Sequence, residues 1–137
     1  GSFIPMSKLM QNTQNYSLNN FDVHFYFDEF NEKTKLNLYN DDGVTPNCFE
    51  NSKYEKFDFK SKYKNQILNL KIEYDRAFLN TESKKVNVII HGFDKKPSSI
   101  ILNQKRIKKS KYKFENNLII ISFDCELDLT HEIEIKR

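Results

Sequence analysis

The side chains that most often bind metal ions or act as nucleophiles are sparse in this sequence. Its three histidines, His24, His91 and His131, lie far apart, and none stands at ligand spacing from a cysteine or a carboxylate. The two cysteines, Cys48 and Cys125, form no CxxC motif, which favours two buried thiols over a disulfide. The motifs of serine hydrolases, zinc proteases and phosphate-binding loops are absent from the sequence. We therefore expect no catalytic residues and no cofactor in this chain.

Two adjacent carboxylates, Asp41 and Asp42, precede Gly43 and could form either a structural turn or a metal site. Glycoside hydrolysis needs two carboxyl groups across a cleft, roughly 5 to 9.5 Å apart, whereas adjacent residues in a turn diverge. A calcium ion takes roughly six to eight oxygen ligands, of which this pair supplies only a part. We favour a structural turn, in which an aspartate oxygen accepts a backbone N–H and Gly43 takes a positive φ. A small calcium site at Asp41 and Asp42 is the alternative.

Aromatic side chains offer the one chemistry that suits a carbohydrate. Three tyrosines, Tyr26, Tyr39 and Tyr54, are candidates for stacking on sugar rings. The competing interpretation is that they pack half-buried on a sheet surface, and the absence of tryptophan weakens the carbohydrate interpretation.

Basic residues are concentrated between Lys95 and Lys113. This stretch holds eight lysines and arginines and no acidic residue, although the whole chain carries a net charge of only +3. A basic block beside aromatic residues is typical of a nucleic-acid surface. We favour the other interpretation, in which lysines protect the exposed edge of a sheet from pairing with another chain.

The elements that position these residues are predicted to be strands. Twelve phenylalanines, seven tyrosines and many β-branched residues favour strands over helices. Hydrophobic residues alternate with polar ones in successive short runs separated by turn-forming clusters. These runs are residues 21–27, 36–38, 57–59, 68–74, 86–90, 100–102, 118–123 and 133–135. The pattern predicts an all-β fold, an antiparallel two-sheet β-sandwich of eight or nine short strands.

Length and hydropathy limit the organisation of the chain. A length of 137 residues suits one domain with its own core. We find no apolar run near the roughly 20 residues of a membrane helix and no signal peptide, and we expect no membrane partner.

The most specific segment is residues 36–54, LNLYNDDGVTPNCFENSKY, in which a strand ends at Tyr39 and leads into the aspartate pair. It resembles the Leu-Tyr-Glu-Asp-Asp-Gly signature in the C-terminal β-sandwich of family-31 glycoside hydrolases, the α-glucosidase and α-xylosidase group. Asn40 stands where that family usually has Glu, and Phe49 where Tyr is common. The positions that match the signature are Asp41, Asp42, Gly43, Thr45, Phe49, Ser52 and Tyr54.

The flanking segments extend the resemblance over nearly the whole chain. Residues 3–6, FIPM, are similar to the family's apolar-Ile-Pro segment, and residues 21–27 to the strand that enters the distal sandwich. The later strands also resemble those of the family, at residues 86–92, 97–103, 118–123 and 132–135.

The resemblance implies a division of the chain. Residues 1–20 would leave a preceding β-sandwich, with Gly1-Ser2 as a cloning scar, and residues 21–137 would form the C-terminal accessory β-sandwich. It further implies a non-catalytic domain that braces the catalytic barrel and the preceding β-sandwich of the same polypeptide and makes weak carbohydrate contacts. The parent enzyme would hydrolyse α-glycosidic bonds with two barrel aspartates that this chain lacks.

Two other functions stay open at this point. An independent carbohydrate-binding module needs a row of exposed aromatic residues on one sheet face. A nucleic-acid binder would use the basic residues from Lys95 to Lys113 and would bind with an affinity that depends on salt. Because the resemblance covers most of the chain and the basic block is generic, we expect no nucleic-acid partner.

Overall fold

A computed structural model describes residues 1–7, 18–41, 43–77, 84–126 and 129–137. In this part of the chain, eleven strands form two sheets that share one core. The five-stranded sheet has the order β1 (Ser2–Ser7), β2 (Asn20–Tyr26), β6 (Lys84–His91), β10 (Leu118–Cys125), β9 (Tyr112–Glu115). The six-stranded sheet has the order β3 (Lys33–Asp41), β4 (Tyr54–Lys64), β5 (Ile67–Ala77), β11 (Thr130–Lys136), β7 (Ser99–Leu102), β8 (Lys105–Arg106). The predicted all-β sandwich is confirmed.

Two details of the prediction are wrong. The neighbouring strands β2 and β6 run parallel, because three strands of the other sheet intervene between them in the chain. The predicted strand number is too low because the eight predicted runs do not include β1, β8 or β9. Strand β1 contains Pro5, which has no N–H to donate and is tolerated at the edge of a sheet. Strand β8 has only two residues and is defined by its pairing with β7.

The core lies between the sheets and is built from the alternating residues that face inward. The ring of Phe21 on β2 meets that of Phe57 on β4 edge to face, with 5.1 Å between centroids. Phe3 on β1 contacts Phe59 on β4 across the sheets at 5.9 Å. Full burial of each such ring contributes roughly 1.5–3 kcal/mol to the free energy of folding. This shared apolar contact holds the two sheets face to face.

Short turns at positive φ connect several strands. Asn65–Gln66 links β4 to β5, Asn103–Gln104 links β7 to β8, and Asn116–Asn117 links β9 to β10. Both residues of each pair have φ between 49° and 64°, the conformation of tight two-residue hairpin turns. Asparagine tolerates this region better than most residues do, so the local sequence determines where these hairpins reverse.

Part of the basic block lies on sheet edges, namely Lys105 and Arg106 on β8 and Lys113 on β9. Strand β8 is one edge of the six-stranded sheet, and β9 is one edge of the five-stranded sheet. A 3₁₀ turn at Lys109–Lys111 lies between these two strands in the chain. Lys105, Arg106 and Lys113 are exposed, whereas Tyr112 and Phe114 are half-buried against the core. Within the described residues, no helix is long and apolar enough to cross a bilayer.

The N-terminal segment contributes to this fold. Ser2–Ser7 pairs with β2, and Phe3 and Leu18 lie in the core, while residues 8–17 lie outside the described part of the chain. The proposed boundary between residues 20 and 21 stays a prediction.

Candidate functional site

The turn after β3 begins the region that carries the candidate residues. Asp41, the last residue of β3, is paired in register with Tyr54, the first residue of β4. The backbone N–H of Gly43 donates to Oδ1 of Asp41 at 2.8 Å, and Gly43 has φ +67°. This is the geometry of an Asx-turn, which already uses one oxygen of the Asp41 carboxylate. Asp42 lies outside the described residues.

The loop that follows is held by its own hydrogen bonds. The backbone N–H of Lys53 donates to the carbonyl oxygen of Cys48 at 2.7 Å, and that of Asn51 donates to the carbonyl oxygen of Asn47 at 2.9 Å. Cys48 is buried, and its Sγ donates to the carbonyl oxygen of Thr45 at 2.9 Å. These contacts wind the loop into a compact turn and fix the position of Phe49 within it.

Three aromatic rings, Tyr39, Tyr54 and Phe49, form an exposed aromatic stack. Tyr39 and Tyr54 project from neighbouring strands onto the outer face of the six-stranded sheet, with centroids 5.5 Å apart and planes 27° apart. Phe49 lies on the other side of Tyr54, at 5.2 Å and 18°. Phe49 is 65% exposed and Tyr39 is 44% exposed. The stack therefore offers ring faces to solvent beside the Asp41 turn.

The structure brings together two of the three candidate tyrosines. Tyr26 lies on β2 of the other sheet, where it stacks on His91 with 4.3 Å between centroids and planes 11° apart. Phe49 was not among the predicted carbohydrate contacts, because its place on Tyr54 depends on how the loop folds back. The signal that could have found it is its position in the signature segment.

The pKa of the Tyr39 phenol is raised above its ordinary value. Partial removal from water raises its pKa, and the neighbouring Asp41 carboxylate raises it further. Tyr39 is therefore a hydroxyl that both donates and accepts hydrogen bonds at neutral pH.

A buried polar network lies directly beneath the stack. Glu55 accepts hydrogen bonds at 2.8 Å from the Asn40 amide and at 2.8 Å from the Tyr74 hydroxyl. The ammonium of Lys84 lies 3.1 Å from Oε2 of Glu55 and donates to Oδ1 of Asn19 at 2.6 Å. Sequence reasoning missed this network. The feature of the sequence that could have revealed it is strand alternation, since Glu55 and Lys84 each continue the inward-facing alternation of their own strands.

Two of the three histidines meet on the five-stranded sheet. Nδ1 of His24 lies 2.7 Å from Nε2 of His91, so one ring can donate to the other when both are neutral. Burial lowers the pKa of His91, and the proximity of His24 lowers it further. His131 is buried elsewhere, beside Asn103 and Glu126. In the described ranges, no three side chains of the His, Cys, Asp or Glu types are grouped to hold a metal ion.

The cysteines are separate, buried thiols in the structure. Burial raises the pKa of Cys125 to about 12, so this side chain is a protonated thiol at neutral pH.

A groove of about 540 Å³ crosses the outer face of the six-stranded sheet. Lys60, Lys71, Glu132 and Glu134 line it together with apolar atoms of Ile101. Glu73 lies beside it and pairs with both lysines, at 2.5 Å from Lys60 and 2.6 Å from Lys71. Among the described residues that line the groove, none is aromatic, so the aromatic stack is the better candidate for contact with a sugar.

Comparison with known proteins supports the predicted fold. No protein-family model and no curated protein matches the sequence. A GH31 dextranase of Flavobacterium johnsoniae in complex with isomaltotriose matches all of this chain with a TM-score of 0.79 at 16% identity. The same dextranase in complex with glucose matches with a TM-score of 0.78. An α-1,4-glucan lyase of Gracilariopsis lemaneiformis matches 89% of the chain with a TM-score of 0.65 at 14% identity.

The matches cover only a small part of each of these larger enzymes. This chain spans 19% of the dextranase chain and 14% of the lyase chain. The predicted resemblance to a β-sandwich of family-31 glycoside hydrolases is therefore confirmed at the level of the fold, and the chain corresponds to a small portion of such enzymes.

Proposed function

We propose that this chain is a non-catalytic accessory β-sandwich, the C-terminal domain of a family-31 α-glycosidase of the α-glucosidase type. In that role it braces the catalytic barrel and the preceding β-sandwich of the same polypeptide. The observation that carries the proposal is the alignment of the entire chain with only 19% of the dextranase chain. The signature turn at Asp41 and Gly43 supports it independently.

The chemistry of the carboxylates fits a non-catalytic role. One oxygen of Asp41 accepts the N–H of Gly43, and Glu55 is buried against Lys84. Hydrogen bonds from Lys60 and Lys71 lower the pKa of Glu73 to about 2. A glycosidase needs one carboxyl group whose pKa is raised, so that it stays protonated and can act as the acid, whereas the pKa of Glu73 is lowered.

The test is to identify the polypeptide that carries this domain in its source. An antibody raised against residues 1–137 is used for immunoblotting and for immunodepletion of a cell extract. We expect an antigen several times larger than the 16.4 kDa of this chain, and depletion should remove α-glucosidase activity. A free antigen of the chain's own mass, or activity that survives complete depletion, contradicts the proposal.

The aromatic stack favours a second role within the same enzyme, weak contact with an α-glucan. Phe49 presents most of its ring to solvent, and Tyr39 adds a hydroxyl at the other end of the stack. The apolar face of a pyranose ring packs on such a surface while its hydroxyl groups stay hydrated. The dextranase that shares this fold binds isomaltotriose, which makes α-linked glucose the first ligand to test.

Titration of the chain with isomaltotriose, followed by NMR, tests this role. We expect shifts at the amides of the 43–54 loop and their loss in Phe49→Ala. The matched control is Phe30→Ala, because Phe30 is 91% exposed and lies at the opposite end of β3. Shifts that persist in Phe49→Ala, or that Phe30→Ala also removes, contradict a site at the stack.

A further inference from the structure

Lysines lie opposite lysines at one end of the outer face of the six-stranded sheet. Lys33 on β3 is paired in register with Lys62 on β4, and Lys35 is paired with Lys60. Lys60 is in turn paired with Lys71 on β5. Like charges at directly opposite positions of neighbouring strands destabilise a sheet. This end of the sheet therefore carries a concentration of positive charge that opposes folding.

One carboxylate neutralises part of this charge. Glu73 forms ion pairs with Lys60 and with the β5 lysine opposite it. Across the described ranges, Lys33, Lys35 and Lys62 form no ion pair, and all three side chains are exposed. Three ammonium groups at this end of the sheet are thus available to an anion from outside the chain.

These lysines line a groove of about 420 Å³ that is formed by residues of β3 and β4. Four of the six described residues that line it are lysines, namely Lys33, Lys35, Lys60 and Lys62. The groove of about 540 Å³ beside it differs, because two glutamates of β11 contribute negative charge there. A cleft lined by charges of one sign concentrates the electrostatic potential and attracts ions of the opposite sign.

Protection of a sheet edge explains only half of the lysines in this groove. Strand β3 is an edge of the six-stranded sheet, and lysine on an edge strand discourages pairing with another chain. Strand β4 lies between β3 and β5, so Lys60 and Lys62 do not serve that purpose. An anionic ligand accounts for the lysines of both strands.

We propose that this groove, the lysine groove, binds a tetrahedral oxyanion, namely a phosphate or sulfate group that is free or esterified to a sugar. Neighbouring strands lie about 4.8 Å apart and alternate residues of one strand about 6.7 Å apart, so the four lysine positions form a rectangle whose centre is about 4 Å from each corner. An ammonium nitrogen that donates to an oxyanion lies at roughly this distance from its central atom. Lysines at these four positions therefore reach one anion together, whether or not the parent protein is an α-glycosidase.

Titration of the chain with inorganic phosphate, followed by NMR, tests the site directly. Sodium chloride keeps the ionic strength constant, so that general screening of charge does not change during the titration. We expect saturable shifts at the amides of residues 33–35 and 60–62. Shifts that are absent from these amides, or that grow without saturation, overturn the inference.

A pair of double variants separates a built site from a response to net charge. Lys35→Gln with Lys62→Gln removes two charges from the lysine groove. Lys108→Gln with Lys109→Gln removes two charges from exposed positions beyond β8, at the opposite edge of the sheet. We expect the dissociation constant for phosphate to rise about tenfold in the first variant and to stay unchanged in the second. An equal rise in both variants overturns the inference.

Melting temperatures show whether the lysines act as a binding site or as part of the fold. At low salt and without phosphate, Lys35→Gln with Lys62→Gln should melt no lower than the wild type, because it removes opposing like charges. A clear fall in its melting temperature would assign these lysines a structural role and overturn the inference.

Three ligands identify the source of the anion. Glucose should cause no shifts at the lysine groove, since it carries no charge. Tighter binding of glucose 6-phosphate than of inorganic phosphate supports an esterified sugar, and tighter binding of inorganic phosphate supports the free anion. Shifts of equal size with glucose and glucose 6-phosphate overturn the inference, because the charge would then play no part.

Discussion

The ammonium of Lys84 lies 3.1 Å from a carboxylate oxygen of Glu55, with side chains only 3% and 5% exposed. Glu55 belongs to β4 of the six-stranded sheet and Lys84 to β6 of the five-stranded sheet, so the pair crosses the core. Removing two charges from water is costly, and here hydrogen bonds from Tyr74 and Asn40 to the carboxylate offset part of that cost. The pair joins the two sheets at the end of the sandwich that carries the aromatic stack.

Replacing one member of the pair leaves the other as an unpaired buried charge. We expect Lys84→Met to lower the free energy of unfolding by about 3–5 kcal/mol in urea denaturation. The double variant Lys84→Met with Glu55→Gln should be more stable than Lys84→Met alone. The control is Lys85→Met at the adjacent exposed position, which should change stability by less than about 0.5 kcal/mol. A small effect of Lys84→Met would show that the pair is not buried in solution.

The side-chain amide of Asn40 donates a hydrogen bond to the carboxylate of Glu55. Asn40→Glu, which restores the residue usual in family-31 enzymes, replaces a donor with a second carboxylate beside Glu55. We expect a loss of about 1–3 kcal/mol at neutral pH. The loss should shrink in acid, because protonation of one carboxyl group relieves the repulsion. The control is Asn69→Glu at an exposed strand position. A loss that stays constant between neutral and acidic pH in urea titrations contradicts this explanation.

Gly43 is required for its backbone conformation. It has φ +67°, and a Cβ added there meets no atom within 4 Å, so the cost of a side chain is conformational rather than steric crowding by neighbours. We expect Gly43→Val to lower stability by about 1–2 kcal/mol and Gly43→Asn by less, since asparagine tolerates positive φ. Melting curves of both variants make the comparison, and equal midpoints for valine and wild type would refute it.

The Asp41 carboxylate is expected to stabilise the turn without a metal ion. Asp41→Ala removes the acceptor of the Gly43 N–H and should cost about 1 kcal/mol. A chelator should leave the wild-type melting temperature unchanged, and added calcium should not raise it. A rise with calcium that depends on Asp41 would support the calcium alternative, by mass action.

Two histidines make the stability depend on pH near neutrality. Burial lowers the pKa of His91 and of His131 below the ordinary value of 6.5. The unfolded chain therefore binds more protons than the folded chain as the pH falls through this value, and the free energy of unfolding decreases. We expect the melting temperature to fall between about pH 7.5 and about pH 5.5.

His131→Gln isolates the contribution of one site. His131 is buried, and its Nε2 accepts the backbone N–H of Glu126 at 3.1 Å, a contact that the glutamine carbonyl can replace. The variant should show a shallower dependence of melting temperature on pH, whatever its absolute stability. An unchanged slope would exclude His131 as a source of the dependence.

Local pattern alone predicted much of this fold. The alternation around Phe21, Phe57 and Val86 identified those strands and the residues that face inward, because a strand turns successive side chains to opposite faces. Strand β1 was missed because a proline edge strand has no such alternation. Extended by one step in each strand, the same rule puts Glu55 and Lys84 in the core phase, but the sequence analysis did not extend it to them.

The tertiary structure decided which strands are neighbours. Sequence separation contains no information on that choice, since β2 and β6 are neighbours although three strands of the opposite sheet lie between them in the chain. That choice places His24 against His91 and separates Tyr26 from Tyr39 and Tyr54. It also sets the apolar residues of four strands in one surface. The residues that form each strand are a local property of the chain, whereas the surfaces that those strands build together depend on long-range packing.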